Sequence, residues 1–532
     1  MSLNNGKDLG DANGITTYRE ERFSSRLSQS GDSAPSLKTV FLANWDQPFI
    51  FDALNGRERA VTYGEFLHLS IQLGKMLETF RVDRGNTICV MMNNSVELAE
   101  TYLASLISGI VVVPLDPLKG ENEVKEILSY AGHKLTLCNF TGGLSDIADK
   151  KPIIKIKSFS DYADSDILSD KKDLGILDNI DAGKPFLNTF TSGSTGVPKG
   201  VIHSFRNVYL TSIAFAKRFN FNSGSVFYHN LPMTYMAGIL NLFFMPMICG
   251  SKVVVGERFG IAAMPRFWDF PIKYSANTFW FIPAMLALLM KLDRGSSGVE
   301  YAKRTVITGL VGTAPLNQKL RRDFEKRYGI PLYESYGLSE TLFVSTNSPK
   351  GVAGGSGDGV GKPLDMVELN FQEDKEISIG VPWMFLGYSN VDAKQSFSGE
   401  KFLSGDLGEF ESSSGFLKIT GRKKDLIIRG GINISPRRTE EFVAHSDLFE
   451  ESAIIGAEDA NLGEKTICFF VPRKGVYSED ARKQLNRDII EKLGKDYQVD
   501  EFVELQEIPK NINGKVDKPK LRKIYKSGRG AE

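Results

Sequence analysis

Short apolar, β-branched runs alternate with segments whose apolar residues recur every three or four positions, and this rhythm constrains the fold most. Residues 62–80 carry Phe66, Leu69, Leu73 and Leu77 at helical spacing. Residues 87–92 form a short apolar run, 98–107 are helical in pattern, and 110–115 are β-branched. The rhythm returns later. Residues 283–292 predict a helix with Pro283 in its first turn and Gly295 beyond it. Residues 304–308 predict a strand. Residues 318–328 predict a helix with Leu320, Phe324 and Tyr328 on one face and Gly329 as its C-cap. Strand–helix–strand alternation of this kind predicts an α/β fold of layered sheets.

The chain has 532 residues, enough for three or four units of about 150 residues each. Hydrophobic residues make up 42% and charged residues 24%, which excludes a disordered chain. Lys plus Arg and Asp plus Glu are both 65, so the surface is not built as a whole to grip nucleic acid or an anionic membrane. Cys89, Cys138, Cys249 and Cys468 are scattered without metal-ligand spacing, as are the five histidines. A reducing, cytoplasmic setting is the expectation. The first residues, MSLNNGKDLGDANG, have no apolar core of the secretory kind. The longest apolar stretch, 239–249, is interrupted by Asn241 and Pro246 and falls short of the roughly 20 residues a membrane span needs. Residues 1–37 predict a loose lead-in. Residues 38–421 predict a large N-terminal domain, in which 351–421 is a β-rich subdomain with alternation such as Glu376-Ile377-Ser378-Ile379. Residues 422–532 predict a small, mobile α+β C-terminal domain.

The richest chemistry lies in Thr191-Ser192-Gly193-Ser194-Thr195-Gly196-Val197-Pro198-Lys199-Gly200. Glycines let a backbone approach an oxyanion closely, and exposed N–H groups in such turns form an anion nest. Hydroxyls donate to phosphate oxygens, and Lys199 adds a point charge. The order is not that of a Walker A loop, because Lys199 lies between Pro198 and Gly200. This loop resembles the phosphate-binding signature of the adenylate-forming superfamily, which includes acyl- and aryl-CoA synthetases, peptide-synthetase adenylation domains and firefly-type luciferases. Further motifs follow in that family's order from about residue 40 onward.

The resemblance implies roles residue by residue. Thr191, Ser192, Gly193, Ser194, Thr195, Gly196 and Lys199 would hold the phosphates of ATP. Gly312, Thr313 and Ala314 would pack against adenine. Tyr333-Glu334-Ser335-Tyr336-Gly337-Leu338-Ser339-Glu340-Thr341 is similar to the family's YGxTE element, with Ser339 in place of Thr. It implies Tyr336, Gly337 and Ser339 at the nucleotide and Glu340, with Thr191, on Mg2+, a hard cation suited to carboxylate and phosphate oxygens. Ser404-Gly405-Asp406-Leu407-Gly408 resembles TGDLG, which implies Asp406 on the ribose, joined by Arg422. Lys424 stands at the family's hinge position. Gly430 and Gly431 stand in the loop that lines its thiol tunnel. Just beyond, Arg438 replaces the family's usual Glu, while Glu440 and Glu441 remain. Asn513-Gly514-Lys515-Val516-Asp517-Lys518 resembles the catalytic-lysine motif, with Lys518 for Arg, and implies Lys515 as the catalytic lysine.

The implied function is ATP-dependent conversion of a carboxylic acid to an acyl-adenylate with release of pyrophosphate, then transfer to a thiol. The acid would meet Tyr235, Met236, Phe281, Leu310, Val311 and Leu338. The segment 231–238 holds no acidic residue to pair with a substrate ammonium, which argues against an α-amino acid and leaves aryl and aliphatic acids open. CoA is the expected thiol. The phosphopantetheine of a separate carrier protein, a luciferase-like oxidation and a non-catalytic nucleotide-binding protein are the alternatives. The basic tail, from Lys510 to Arg529, reads as a solvated helix end or as a partner for a CoA phosphate.

Overall fold

The computed structural model describes residues 35–54, 58–140, 151–156, 158, 170–191, 197–349, 359–511 and 515–529. Among them, a seven-stranded sheet runs in the order Gly387–Tyr388, Lys199–Ser204, Pro185–Thr191, Val111–Pro114, Thr87–Met91, Thr136–Cys138, Ile153–Lys155. Its inner ladders are parallel, and the edge formed by the first three strands is antiparallel. A nine-stranded sheet is parallel from Pro48–Asp52 through Lys252–Val255, Val226–His229, Thr278–Phe281 and Thr308–Val311 to Leu332–Leu338. Thr278–Phe281 is buried at every position, because a parallel strand is covered on both faces.

The local signals in the chain explain several elements. Tyr63–Thr79 is a helix opened by a capping box, in which Thr62 accepts from the Glu65 amide and the Glu65 carboxylate accepts from the Thr62 amide. Gln318–Tyr328 is a helix whose N-cap Asn317 accepts from the amides of Lys319 and Leu320, and Gly329 closes it in the left-handed region. Pro283–Leu292 is helical as predicted.

One expectation is corrected. Residues 304–308 are not a strand: Arg304 ends the helix Ser297–Arg304, and the strand is Thr308–Val311. The sheet decides the matter, since Thr308 is the first residue in register with Thr278, whereas Val306 is 93% exposed. The apolar stretch 239–249 also takes an unforeseen form. Ala237–Phe244 is a π-helix running into the helix Met245–Ile248, and every residue of both is buried.

Past the nine-stranded sheet the chain forms a β-rich unit, with Glu368–Phe371, Glu376–Gly380, Lys401–Phe410, Phe397–Ser398 and Leu417–Arg422 in one antiparallel sheet. A continuous apolar core runs from Leu37 to Ile419. The remaining chain builds a second, smaller sheet around the hairpin of Phe449–Asp459 and Gly463–Pro472. Alternation along this hairpin covers both faces: Ile454, Cys468 and Phe470 pack in one cluster, and Ile455, Ile467 and Phe469 in another. The molecule is therefore a large α/β part with a β-rich subdomain and a smaller α+β part. Lys319 and Asp447 form an ion pair of 3.4 Å between the two parts. No helix among the described residues is long and apolar enough to cross a membrane.

Candidate active site

The phosphate-loop residues are carried on the antiparallel edge of the seven-stranded sheet. Thr191 and Lys199 face each other in register where the chain leaves Pro185–Thr191 and enters Lys199–Ser204, and Thr191 Oγ1 donates to the Lys199 carbonyl at 3.5 Å. Ser192, Gly193, Ser194, Thr195 and Gly196 lie outside the described residues. The exit from the loop is stitched down by Asn390, which accepts from the Gly200 amide at 3.1 Å and donates to the Pro198 carbonyl at 2.7 Å. A Cβ at Gly200 would sit 2.1 Å from Ser389 Oγ and 2.6 Å from Asn188 Oδ1, so those side chains would have to shift to admit one.

A hairpin of the nine-stranded sheet carries the next group. Leu332–Leu338 turns back into Leu342–Thr346, which places Tyr336, Gly337, Ser339 and Glu340 at one end. A Cβ at Gly337 would lie 2.0 Å from the Leu342 carbonyl oxygen. His203, which the sequence reading missed, anchors this turn: its Nε2 donates to the Ser339 carbonyl at 2.6 Å while its Nδ1 accepts from Asn207 Nδ2 at 3.3 Å. Those two roles require the neutral Nε2–H tautomer, and burial pulls the His203 pKa down to about 4. Glu340 Oε1 accepts from the Tyr388 hydroxyl at 2.8 Å, and the Lys199 ammonium lies 5.2 Å from the centre of the Tyr388 ring. Tyr388 was also missed. No local pattern marks either residue, because their partners lie 136 and 48 positions away.

The β-rich unit and the C-terminal part complete the group. Asp406 and Arg422 are cross-strand neighbours of Lys401–Phe410 and Leu417–Arg422. Asp406 is buried and accepts from Arg422 Nε at 2.7 Å and from the Tyr336 hydroxyl at 2.8 Å. Burial first, and then the Asp406 carboxylate, raise the Tyr336 pKa, so the phenol remains a donor. Lys515 comes from more than ninety residues downstream into the field of Arg422, Asp406 and Lys424. Desolvation, reinforced by Arg422 and Lys424 and opposed by Asp406, lowers its pKa to about 8. Beside it Lys510 and Val516 form a β-bridge, and Asn511 and Lys515 exchange bonds of 2.8 and 3.0 Å. Lys424 is lowered too, by burial and then by Arg422. Arg422, Lys424 and Lys515 thus act on one another and on Asp406, with Asp425 as a second acid near Arg422 and Lys424, a field in which a phosphate can be held.

Other expected residues are placed less uniformly. Thr313 adopts φ +72, strained for a β-branched residue, and its hydroxyl is buried without a partner among the described residues. Gly312 precedes it, where a Cβ would meet Ser335 Oγ at 2.9 Å, and Ala314 is partly exposed. Phe281, Leu310 and Val311 have essentially no accessible surface and lie in the packing of the nine-stranded sheet. Tyr235, Met236 and Leu338 keep accessible surface, and the Tyr235 hydroxyl feels the Arg422 charge. A polar cavity of about 430 Å³ borders the same segment, lined by Pro232, Thr234, Asn94, Asn139, Glu97 and Arg258. Gly430 and Gly431 form the two-residue turn between Ile427–Arg429 and Ile432–Ile434, both with positive φ as a type I′ turn demands. Arg438 lies over the Tyr497 ring at 5.2 Å, and Glu440 is taken up by the Ile454 amide and Lys518.

Comparison with known proteins gives the family and the fold. Residues 43–388 match the family of AMP-binding enzymes, and residues 438–515 match the AMP-binding enzyme C-terminal domain. A sulfoacetate–CoA ligase of Cupriavidus necator is 25% identical over 518 residues, covering 92% of this chain and 97% of its own length. A 2-succinylbenzoate–CoA ligase of Bacillus subtilis is 26% identical over 486 residues, covering 89% of this chain and 95% of its own. The ATP-bound crystal structure of MatB from Rhodopseudomonas palustris superposes with a TM-score of 0.79 at 22% identity, over 92% of this chain and 99% of that one. The chain belongs to the AMP-binding enzyme family. It is an AMP-forming acid–thiol ligase: ATP converts a carboxylic acid to an acyl-adenylate, and a thiol takes the acyl group as a thioester.

Proposed function

We propose that this ligase activates an aryl or aliphatic acid without an α-ammonium group, with Lys515 as the catalytic lysine and free CoA rather than a carrier protein as the thiol. The observation that carries the reading is the cluster in which Arg422 and the Tyr336 hydroxyl bind Asp406 while Lys515 and Lys424 feel the charges of both Asp406 and Arg422. A carboxylate is a poor electrophile because its charge repels a nucleophile. Attack of its oxygen on the α-phosphorus of ATP forms the mixed anhydride and expels pyrophosphate. The protein's contribution is position and charge. Asp406 accepts the ribose hydroxyls, and Tyr336 with the Gly312–Ala314 turn flanks the adenine. The ammonium of Lys515 bridges the incoming carboxylate and the α-phosphoryl oxygens, and the Thr191–Lys199 loop retains the leaving pyrophosphate.

Glu340 fits a role on Mg2+. Its Oε1 is engaged by Tyr388, its Oε2 takes no hydrogen bond among the described residues, and a single protein carboxylate suffices when phosphates supply the other oxygens. Bound there with Thr191, the cation would offset phosphate charge.

The domain division at about 421/422 is part of the same proposal, with residues 422–532 turning about Lys424 to withdraw Lys515 and bring the Gly430–Gly431 turn to the thiol. Ser435 Oγ donates to the Thr420 carbonyl at 2.6 Å across this boundary, and Lys319 pairs with Asp447. Proline at position 424 fixes φ and removes an N–H. The Lys424→Pro enzyme should therefore lose thioester formation roughly tenfold more than adenylation, read by comparing CoA-thioester yield with acid-dependent ATP–pyrophosphate exchange. Equal losses in both half-reactions refute the hinge.

The acid is tested by ATP–pyrophosphate exchange over a panel. Benzoate and short and long aliphatic acids represent the proposed class, and amino acids its negative. Sulfoacetate, malonate and 2-succinylbenzoate probe a second anionic group. Arg258 in the nearby cavity is a weak candidate for that group, because Asp116 already holds it with two bonds of 2.7 Å. Thioester formed with CoA, and none on added carrier protein, supports the thiol assignment. A cytoplasmic setting belongs to the same reading, supported by four cysteines that are all free.

A further inference from the structure

Tyr388 stands where the phosphate loop and the Glu340 turn meet, on a two-residue strand that pairs with Lys199–Ser204 by placing Tyr388 opposite Val201. Three features of its neighbourhood bear on one another. Its hydroxyl donates to Glu340 Oε1 at 2.8 Å, its ring lies 5.2 Å below the Lys199 ammonium, and the Phe385 amide donates to the Glu340 carbonyl at 2.9 Å. Asn390 and Ser389, the next residues, clasp Pro198 and Gly200 at the loop's exit. Tyr388 therefore touches the Glu340 carboxylate and Lys199 at once, while Phe385 holds the Glu340 backbone and residues 389–390 hold the chain on either side of Lys199.

A ring alone would satisfy the packing, since Phe385 and Tyr388 already meet at 4.8 Å between ring centres. The hydroxyl adds something different. It occupies one carboxylate oxygen of Glu340 and fixes the rotamer that leaves Oε2 for a cation. A carboxylate held this way spends less conformational entropy when it binds Mg2+.

We propose that Tyr388 is a positioning residue that sets Glu340 for the Mg2+ of the Mg–ATP complex and ties it to Lys199. This inference rests on the reading of Glu340 as the metal carboxylate.

The test measures equilibrium binding of ATP to acid-free enzyme by calorimetry, with Mg2+ and with EDTA. The ratio of the two Kd values is the magnesium gain, and it requires no turnover. Tyr388→Phe keeps the ring and should melt within a few degrees of the parent. It should lower the magnesium gain about tenfold, the weight of one hydrogen bond to a charged group, with ATP binding in EDTA unchanged. Tyr388→Leu removes the ring under Lys199 as well and should weaken ATP binding in EDTA a few-fold. If that variant does not fold, Tyr388→Phe decides alone. Glu340→Gln separates the two layers. A normal gain in Tyr388→Phe beside a lost gain in Glu340→Gln overturns the role of Tyr388 and leaves Glu340 standing. An undiminished gain in Glu340→Gln overturns both. Equal weakening of both Kd values in Tyr388→Phe, with a lowered Tm, makes Tyr388 a packing residue only and also overturns the inference.

Discussion

The Lys515→Ala enzyme should lose acid-dependent ATP–pyrophosphate exchange by about a hundredfold to a thousandfold, the range typical of removing one preorganised charge donor from a transition state. Its Tm should stay close to the parent's, because Lys515 belongs to neither apolar cluster of the C-terminal part. Thioester formation from synthetic acyl-adenylate and CoA should change only a few-fold, since the amine is assigned to the first half-reaction alone. Loss of both half-reactions would instead mean that the substitution damages the fold. The pH dependence sharpens the case. In the free enzyme the Lys515 amine titrates at about 8. The required ammonium is therefore present below that pH and is lost above it, and kcat/KM for ATP in exchange should fall on the alkaline side. His203 and His229, both pulled to about 4 by burial, stay neutral through this range and give no competing inflection. Lys515→Arg, whose guanidinium keeps its proton, should flatten that alkaline limb even where its rate is lower.

How far the sequence reached can be judged from particular residues. Asn317 at one end, Gly329 at the other and Leu320, Phe324 and Tyr328 between them specify the helix Gln318–Tyr328 without reference to the rest of the chain. The strand near residue 306 was misplaced because Val306 and Leu310 are equally apolar in composition, and only the register with Thr278–Phe281 tells which belongs to the sheet. The π-helix at Ala237–Phe244 was invisible for a similar reason: a stretch apolar on all sides has no periodicity to read. In the candidate site, the order of motifs proposes Glu340, Asp406, Arg422 and Lys515, and the structure brings Arg422 onto Asp406. What supports them was hidden, since His203, Tyr388 and Asn390 act through carbonyls and carboxylates brought near by the meeting of separate sheets. The field at Lys515 was equally hidden, because it is a property of four groups drawn from two parts of the chain.

Asp406→Asn should be the most informative change in that field. Both neighbours of this buried carboxylate are donors, the Tyr336 hydroxyl and Arg422 Nε. An amide offers one acceptor and one donor, so in either orientation its NH2 opposes one of them. Arg422 is 45% exposed and can turn to water, which limits the structural penalty. The loss should therefore fall mainly on nucleotide binding, with kcat/KM for ATP lower by about a hundredfold, equal to one or two hydrogen bonds to a charged group. The charge change acts on Lys515 as well. Asp406 is the attraction that opposes Arg422 and Lys424 there, so its removal should push the Lys515 pKa below about 8. The alkaline limb of the exchange rate should then begin at lower pH than in the parent enzyme. Tyr336→Phe provides the control, because it removes one hydrogen bond from Asp406 and leaves its charge in place. Its rate should fall with the limb unmoved. A limb that stays fixed in Asp406→Asn would mean that Asp406 holds the ribose without governing the lysine. The proposed coupling between the nucleotide-binding carboxylate and the catalytic ammonium would then be wrong.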